Sequence, residues 1–189
     1  MLKKLAPFFV AFVLLAAAVP AEARQNGGNN MSDKSKTLIA YYSWSGNTRK
    51  AAEAIQAATG GDLFEIQTAQ PYPEVYRALT DQAKKEIADG YRPALKNKVP
   101  DISGYDVVFV GSPNWWGTIA PAVSTFLGEY DLSGKTVVPF VTHGGGGVQR
   151  TVSDLTAQCT GCSVARAFVT YGGNLDGIEA WLKEGGFAE

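Results

Sequence analysis

The sequence predicts a three-layer α/β sandwich, with one five-stranded parallel sheet and helices on both faces. Three observations predict it. From Thr37 onward, short β-rich runs alternate five times with stretches carrying a single apolar stripe at helical spacing. Three of the runs are almost continuously apolar, and a strand apolar on both sides needs cover on both sides. A composition of 46% hydrophobic and 19% charged residues belongs to a folded globular domain and excludes disordered and fibrous chains. Right-handed crossovers then put helices on both faces of the sheet.

The chain begins with a segment that does not belong to this pattern. Residues 1–23 combine Lys3 and Lys4, an apolar run and an Ala21-Glu22-Ala23 ending, the layout of a secretory signal peptide. The apolar run falls short of the roughly 20 residues that span a bilayer, so cleavage is expected to leave no stable membrane anchor. Residues 24–36 are rich in Gly, Asn and Ser and read as a flexible lead-in, so the domain is expected over 37–189. Its place would be outside the cytoplasm, periplasmic or extracellular.

The strands are expected at 38–42, 63–67, 107–111, 136–141 and 164–169, each rich in Val, Ile, Phe or Tyr. Helices are expected at 48–58, 74–89, 121–129, 148–158 and 176–184. In the second, Val75, Leu79, Ala83 and Ile87 form the inward stripe, while Lys84, Lys85 and Glu86 should face water.

Charge narrows the partners. The whole chain has a net charge of -1, and loss of residues 1–23 leaves 15 basic and 17 acidic side chains, a net charge of -2. Neither nucleic acid nor an acidic lipid surface is favoured by that balance.

Ligands of parallel α/β sheets bind beyond the carboxyl ends of the strands. Three loops there are unusual. The first strand runs into Ser43-Trp44-Ser45-Gly46-Asn47-Thr48 and then a helix, where unpaired N–H groups and the helix dipole favour an anion such as a phosphate. The same hydroxyls could instead simply cap the helix. The third strand ends in Ser112-Pro113-Asn114-Trp115-Trp116-Gly117, an aromatic tip suited to stacking on a planar ligand, with at least one indole expected to plug the core. The fourth ends in Thr142-His143-Gly144-Gly145-Gly146-Gly147, and four successive glycines suit close approach of a ligand to backbone. Neither a P-loop nor a G-x-G-x-x-G motif is present, which argues against ATP, GTP and dinucleotides.

These loops and the order of elements resemble flavodoxins. Ser43-x-Ser45-Gly46-Asn47-Thr48 is similar to the phosphate loop for flavin mononucleotide (FMN), and P-N-W-W-G and T-H-G-G are similar to flavin loops of the flavodoxin-like quinone reductases. The resemblance implies a sheet in the order 2-1-3-4-5 with FMN at its carboxyl edge. By that resemblance Ser43, Ser45, Gly46, Asn47 and Thr48 would bind the phosphate through neutral donors, with Trp44 beside them. Ser112, Pro113, Asn114, Trp115, Trp116 and Gly117 would line one side of the ring, and Thr142, His143, Gly144 and Gly145 its pyrimidine edge.

Two roles follow from the resemblance: an electron carrier for a redox partner protein, or an FMN-dependent NAD(P)H/quinone-type oxidoreductase passing electrons to a small acceptor such as a quinone. The near-neutral charge gives little basis for electrostatic docking to a basic partner, and the Gly-rich fourth loop would leave one flavin face open. His143, the one histidine, would be the catalytic candidate. Alternatives are a flavin-binding module without chemistry, and a hydrolase in which Ser112 or Ser45 joins His143 and Asp106. Cys159 and Cys162, the only cysteines, read as a local disulfide, with a redox-active dithiol as the alternative. They lack two further ligands nearby for a metal.

Overall fold

The computed structural model describes residues 36–188. The proposed signal peptide and nearly all of the lead-in lie outside the described residues. The order is β1 (Thr37–Tyr41), α1 (Asn47–Thr59), β2 (Asp62–Glu65), α2 (Tyr76–Asp89), β3 (Val107–Trp115), β4 (Thr118–Ile119), α3 (Pro121–Glu129), β5 (Thr136–His143), α4 (Thr151–Gln158), β6 (Ser163–Val164), β7 (Phe168–Tyr171) and α5 (Ile178–Glu184). The sheet runs β2-β1-β3-β5-β6, with β7 also on β5, so the 2-1-3-4-5 order is present with its fifth strand in two pieces. All of these pairings are parallel. Only β4 runs antiparallel, folded back on the end of β3.

Alternation along the strands splits the core into two layers. Leu38, Ala40, Val108, Val110 and Val137 face one side and pack with Leu79, Phe126 and Leu155 of α2, α3 and α4. Ile39, Phe109, Val138 and Phe140 face the other and pack with Ile55 of α1 and Trp181 and Leu182 of α5. Gly111 marks the tightest point, because a Cβ there would fall 2.2 Å from Phe140 Cζ and 2.8 Å from Tyr41 Cβ.

The predicted strand at 164–169 breaks for a reason that lies in its neighbour. Val137 pairs with Val164 and Phe140 with Phe168, so residues 165–167 bulge opposite Val138 and Pro139. Pro139 has no N–H to give to the ladder, and a bulge accommodates that loss. The Arg166 carbonyl freed by the bulge accepts the indole N–H of Trp181 at 3.0 Å.

Three helical expectations need correction. The helix expected at 148–158 starts at Thr151, because Gly147 and Gln149 have positive φ of 69° and 43°. Val75 precedes α2 and is 68% exposed, so the inward stripe rests on Leu79 and Ala83. Glu86, expected in water, is buried, where its carboxylate accepts hydrogen bonds from the Tyr72 hydroxyl and from Gln82 Nε2 at 2.8 Å.

Candidate functional site

The carboxyl ends of β1, β3 and β5 meet around a cavity of about 470 Å³. The first loop contributes Trp44, Ser45 and Asn47, the β3–β4 turn contributes Pro113 to Trp116, and the end of β5 contributes Thr142, His143 and Gly144. The fourth wall, from Tyr76, Leu79, Thr80 and Ala83 of α2, is one that the loop motifs did not reveal. In sequence this wall is indistinguishable from a core-packing stripe. The exception is Tyr76, an aromatic that stays 69% exposed at the cavity's rim.

One end of the cavity is built for an anion. Gly46 is the N-cap of α1 with a left-handed φ of 86°, and no side chain caps the helix. The expectation that Ser and Thr hydroxyls serve as simple caps is therefore not met, and the orphan N–H groups of the first turn remain open to a ligand. Ser43 Oγ is buried and has no hydrogen-bond partner among the described residues. A buried hydroxyl without a partner is costly, so a ligand oxygen is the natural completion. Thr48 Oγ1 lies 2.9 Å from Thr142 Oγ1, which ties the first loop to the end of β5. These donors fit a phosphate ester.

The other end is aromatic. Trp115 packs edge-on against Tyr72 and Tyr42, with ring centroids 5.0 Å and 5.4 Å away, and so plugs the core while lining the cavity. Burial, reinforced by the Glu86 carboxylate, pushes both phenols above the usual tyrosine range, so they stay neutral. Trp116 and Gly117 form a two-residue hairpin turn with φ of 52° and 86°, the conformation of a type I′ turn. That turn holds Trp116 outward, 51% exposed, with its indole N–H donated to the Thr80 carbonyl at 2.9 Å and Lys84 Nζ 4.9 Å from the ring. Asn114 fixes the turn by accepting the Gly117 N–H at 2.8 Å and donating to the Gly147 carbonyl. Trp44 donates its indole N–H to the Pro73 carbonyl at 3.1 Å and leans on Tyr76.

At the end of β5, His143 Nδ1 accepts the Gly145 N–H at 3.1 Å, which leaves the proton of the neutral imidazole on Nε2. Its ring meets Tyr171 edge-on at 5.9 Å. Gly144 and Gly145 are exposed, and a Cβ on either would meet nothing within 4 Å. Ser112 is different from the other candidates. It is fully buried, donating to the Pro113 carbonyl and accepting the Ala120 N–H at 3.0 Å, so it stitches β3 to the start of α3.

The hydrolase alternative does not survive this geometry. Asp106 accepts the Lys36 N–H at the amino end of β3, and His143 stands at the carboxyl end of β5. Val107 pairs with Thr136, so Asp106 stands level with Lys135, eight residues before His143 and about 26 Å away along the strand. Cys159 and Cys162 are bonded at 1.97 Å, between α4 and β6, also at the amino end of the sheet and away from the cavity. Among the described residues no cluster of His, Cys, Asp and Glu is arranged to hold a metal.

A family model for flavodoxin matches residues 36–184, the whole of this sheet and its helices. The chain belongs to the flavodoxin family. It is similar to a crystal structure from Bacteroides eggerthii described as a flavoprotein, with 37% identity, a TM-score of 0.72, and coverage of 79% of this chain and 97% of that one. A flavoprotein of Lactobacillus acidophilus, solved in complex with FMN, is 28% identical with a TM-score of 0.65, over 78% of this chain and 98% of that one. A 97-residue stretch is 31% identical to an NAD(P)H dehydrogenase (quinone) of Cupriavidus metallidurans, which is half of this flavodoxin-family chain but only 46% of that relative.

Proposed function

We propose that this chain binds FMN and acts as an exported redox protein, and that its preferred mode is reduction of a small planar acceptor such as a quinone. One observation carries the cofactor assignment. The cavity has the uncapped start of α1, with Ser45 and Asn47, at one end and an aromatic wall at the other, the polarity of a phosphorylated planar ring, and the unpartnered Ser43 hydroxyl lies buried in the same loop. The FMN complex of the Lactobacillus acidophilus relative supports it.

When bound, FMN supplies electron transfer at its ring; the protein supplies binding, orientation and electrostatics. Ser43, Ser45 and the N–H groups of Gly46, Asn47 and Thr48 hold the phosphate. Trp115 and Trp116 line the ring space, and Trp115, backed by neutral Tyr42 and Tyr72, keeps water from its inner side. His143 presents Nε2–H as a donor, with its ring orientation set by the Gly145 N–H. The exposed glycine backbone after His143 brings no aromatic side chain over the cavity. Access from that side favours direct contact with a small acceptor over service as a carrier for a partner protein.

The test is a titration of FMN into the purified protein, read by flavin fluorescence, with riboflavin as control. FMN should bind more tightly than riboflavin, and Ser43→Ala should weaken FMN by roughly tenfold or more, the loss of one hydrogen bond to a charged group. Equal affinity for the two flavins would remove the phosphate assignment. Anaerobic mixing with NADH or NADPH then separates the roles, since a carrier resists direct reduction by either.

A further inference from the structure

Glu86 is a buried carboxylate with no part in holding the flavin. A carboxylate at that depth is costly unless its oxygens are hydrogen-bonded, and an apolar residue of similar size would fill the space without the cost. One of its oxygens accepts the Tyr72 hydroxyl and the other accepts Gln82 Nε2 at 2.8 Å. On its outer side Glu86 lines a surface depression of about 370 Å³ together with Tyr91, which is 55% exposed. On its inner side stands Tyr72, itself buried and packed edge-on at 5.0 Å against Trp115. Trp115 lines the cavity. Indole, phenol and carboxylate therefore form an unbroken line of contacts from the cavity wall to the outer face of α2. Tyr42 touches the same indole at 5.4 Å, but of the two phenols it is Tyr72 that donates to the carboxylate.

Indoles and phenols are the aromatic side chains that give up one electron most readily. Loss of that electron makes a phenol strongly acidic, so a tyrosine is easily oxidised only where a base stands ready for its proton. Burial and the Glu86 carboxylate hold Tyr72 above the usual tyrosine range, so the proton is in place at neutral pH. We propose that Trp115, Tyr72 and Glu86 form an oxidation relay, which moves a one-electron hole from the cavity wall to the outer face of α2. The oxidant is a diffusible radical that reaches the cavity and takes one electron from Trp115, leaving an indole radical cation. Tyr72 then gives one electron to that indole while its phenolic proton passes to Glu86. The products are a neutral indole, a neutral tyrosyl radical and a carboxylic acid; one O–H bond breaks, one forms, and the charges on indole and carboxylate cancel. A reductant such as ascorbate at the outer face supplies the electron that restores Tyr72, and the proton returns from Glu86. The relay thus protects the wall of the site from lasting oxidation, and it needs no flavin to operate.

The experiment is pulse radiolysis of the whole protein without added flavin, with azide radical as the oxidant, following decay of the indole radical and growth of the tyrosyl radical. Wild type should show a tyrosyl phase whose rate is independent of protein concentration and slower in D2O. Tyr72→Phe keeps the ring contact with Trp115 and should abolish that phase, whereas Tyr42→Phe should retain it. Glu86→Gln still accepts the Tyr72 hydroxyl but is a far weaker base, so the phase should slow by about tenfold or more, the loss of a charged acceptor. A wild type without the phase would overturn the proposal. So would its persistence in Tyr72→Phe, its loss in Tyr42→Phe instead, or a Glu86→Gln protein with the wild-type rate and D2O effect, which would leave the carboxylate a structural group. Because no flavin is present, failure here leaves the FMN reading untouched, and failure of FMN to bind leaves the relay standing.

Discussion

The two walls of the cavity are built on opposite principles. The β3–β4 hairpin spends its polar groups on itself and on its neighbours: Asn114 on Gly117 and Gly147, Trp116 on Thr80, Ser112 on Ala120. It accepts a left-handed Trp116 to do so, a conformation that L residues with bulky side chains adopt only when the surroundings impose it. The glycine segment after β5 makes few such commitments, and open space surrounds Gly144 and Gly145. The difference teaches that one side of the site is preformed and the other is left to be shaped by what binds. It also locates stability in the hairpin and access in the glycines.

The contrast is broken most severely at Trp115. Trp115→Ala removes an indole wedged between Tyr42 and Tyr72, and a loss of about 3 kcal/mol is expected, at the lower end for aromatic truncation because the site is only partly buried. Chemical denaturation would show it as a lower midpoint with unchanged slope. An unaltered midpoint would mean that the hairpin contributes no stability to the domain.

Next comes Gly117→Ala. The positive φ of 86° alone costs an L residue about 1–2 kcal/mol. A Cβ would also fall 2.3 Å from Gln149 Oε1, but that is the end of a flexible side chain and can move. The expected loss is therefore the backbone term, and Gln149→Ala in the same background should recover little of it. Full recovery would show that the clash, not the turn, is what Gly117 avoids.

How much of this was legible in the sequence depends on whether a signal is local. The five strand positions and the sheet order follow from periodicity and resemblance, since each run of Val, Ile and Phe carries its own evidence. The three loops that line the cavity were legible for the same reason. The hairpin was not, because its paired arms are Asn114–Trp115 and Thr118–Ile119, too short to alternate, and Trp116-Gly117 is not a common type I′ pair. The α2 wall was hidden because Leu79 and Ala83 serve the core and the cavity together. Burial of Glu86 depends on Tyr72, fourteen residues away, and the split of the fifth strand depends on Pro139 in a different strand. Such pairings exist only once the chain is folded.

The phenols of Tyr42, after β1, and Tyr72, between β2 and α2, back Trp115 of the hairpin wall and make its support sensitive to alkali. Tyr72 and Tyr42 have folded pKa values raised above the unfolded value, chiefly by burial and then by Glu86. A raised value means that their stabilising contribution is complete below about pH 10 and is lost as pH climbs above the unfolded pKa toward the folded one. Denaturation midpoints should be flat through neutrality and fall above about pH 10. Tyr72→Phe should make that fall shallower, at the cost of leaving Glu86 short of a donor at all pH values. An equally steep alkaline fall in Tyr72→Phe would assign the loss to other groups.

The smallest effect on stability is expected on the opposite wall, at Gly144→Ala. Its φ lies outside the left-handed region and no atom stands within 4 Å of the added methyl, so the folded state has room for it. The unfolded chain loses freedom at the same time, and the net change should lie between zero and a gain of about 1 kcal/mol. The same methyl projects at the edge of the cavity, where close approach of a ring to bare backbone is what the glycine permits. Flavin affinity should therefore fall while the denaturation midpoint holds or rises. If both held, the glycine segment would be a plain connection, and the openness of this wall would have no part in binding. If the midpoint fell instead, the segment would already be under strain before any ligand arrives, and the division between a preformed wall and an adaptable one would have to be withdrawn.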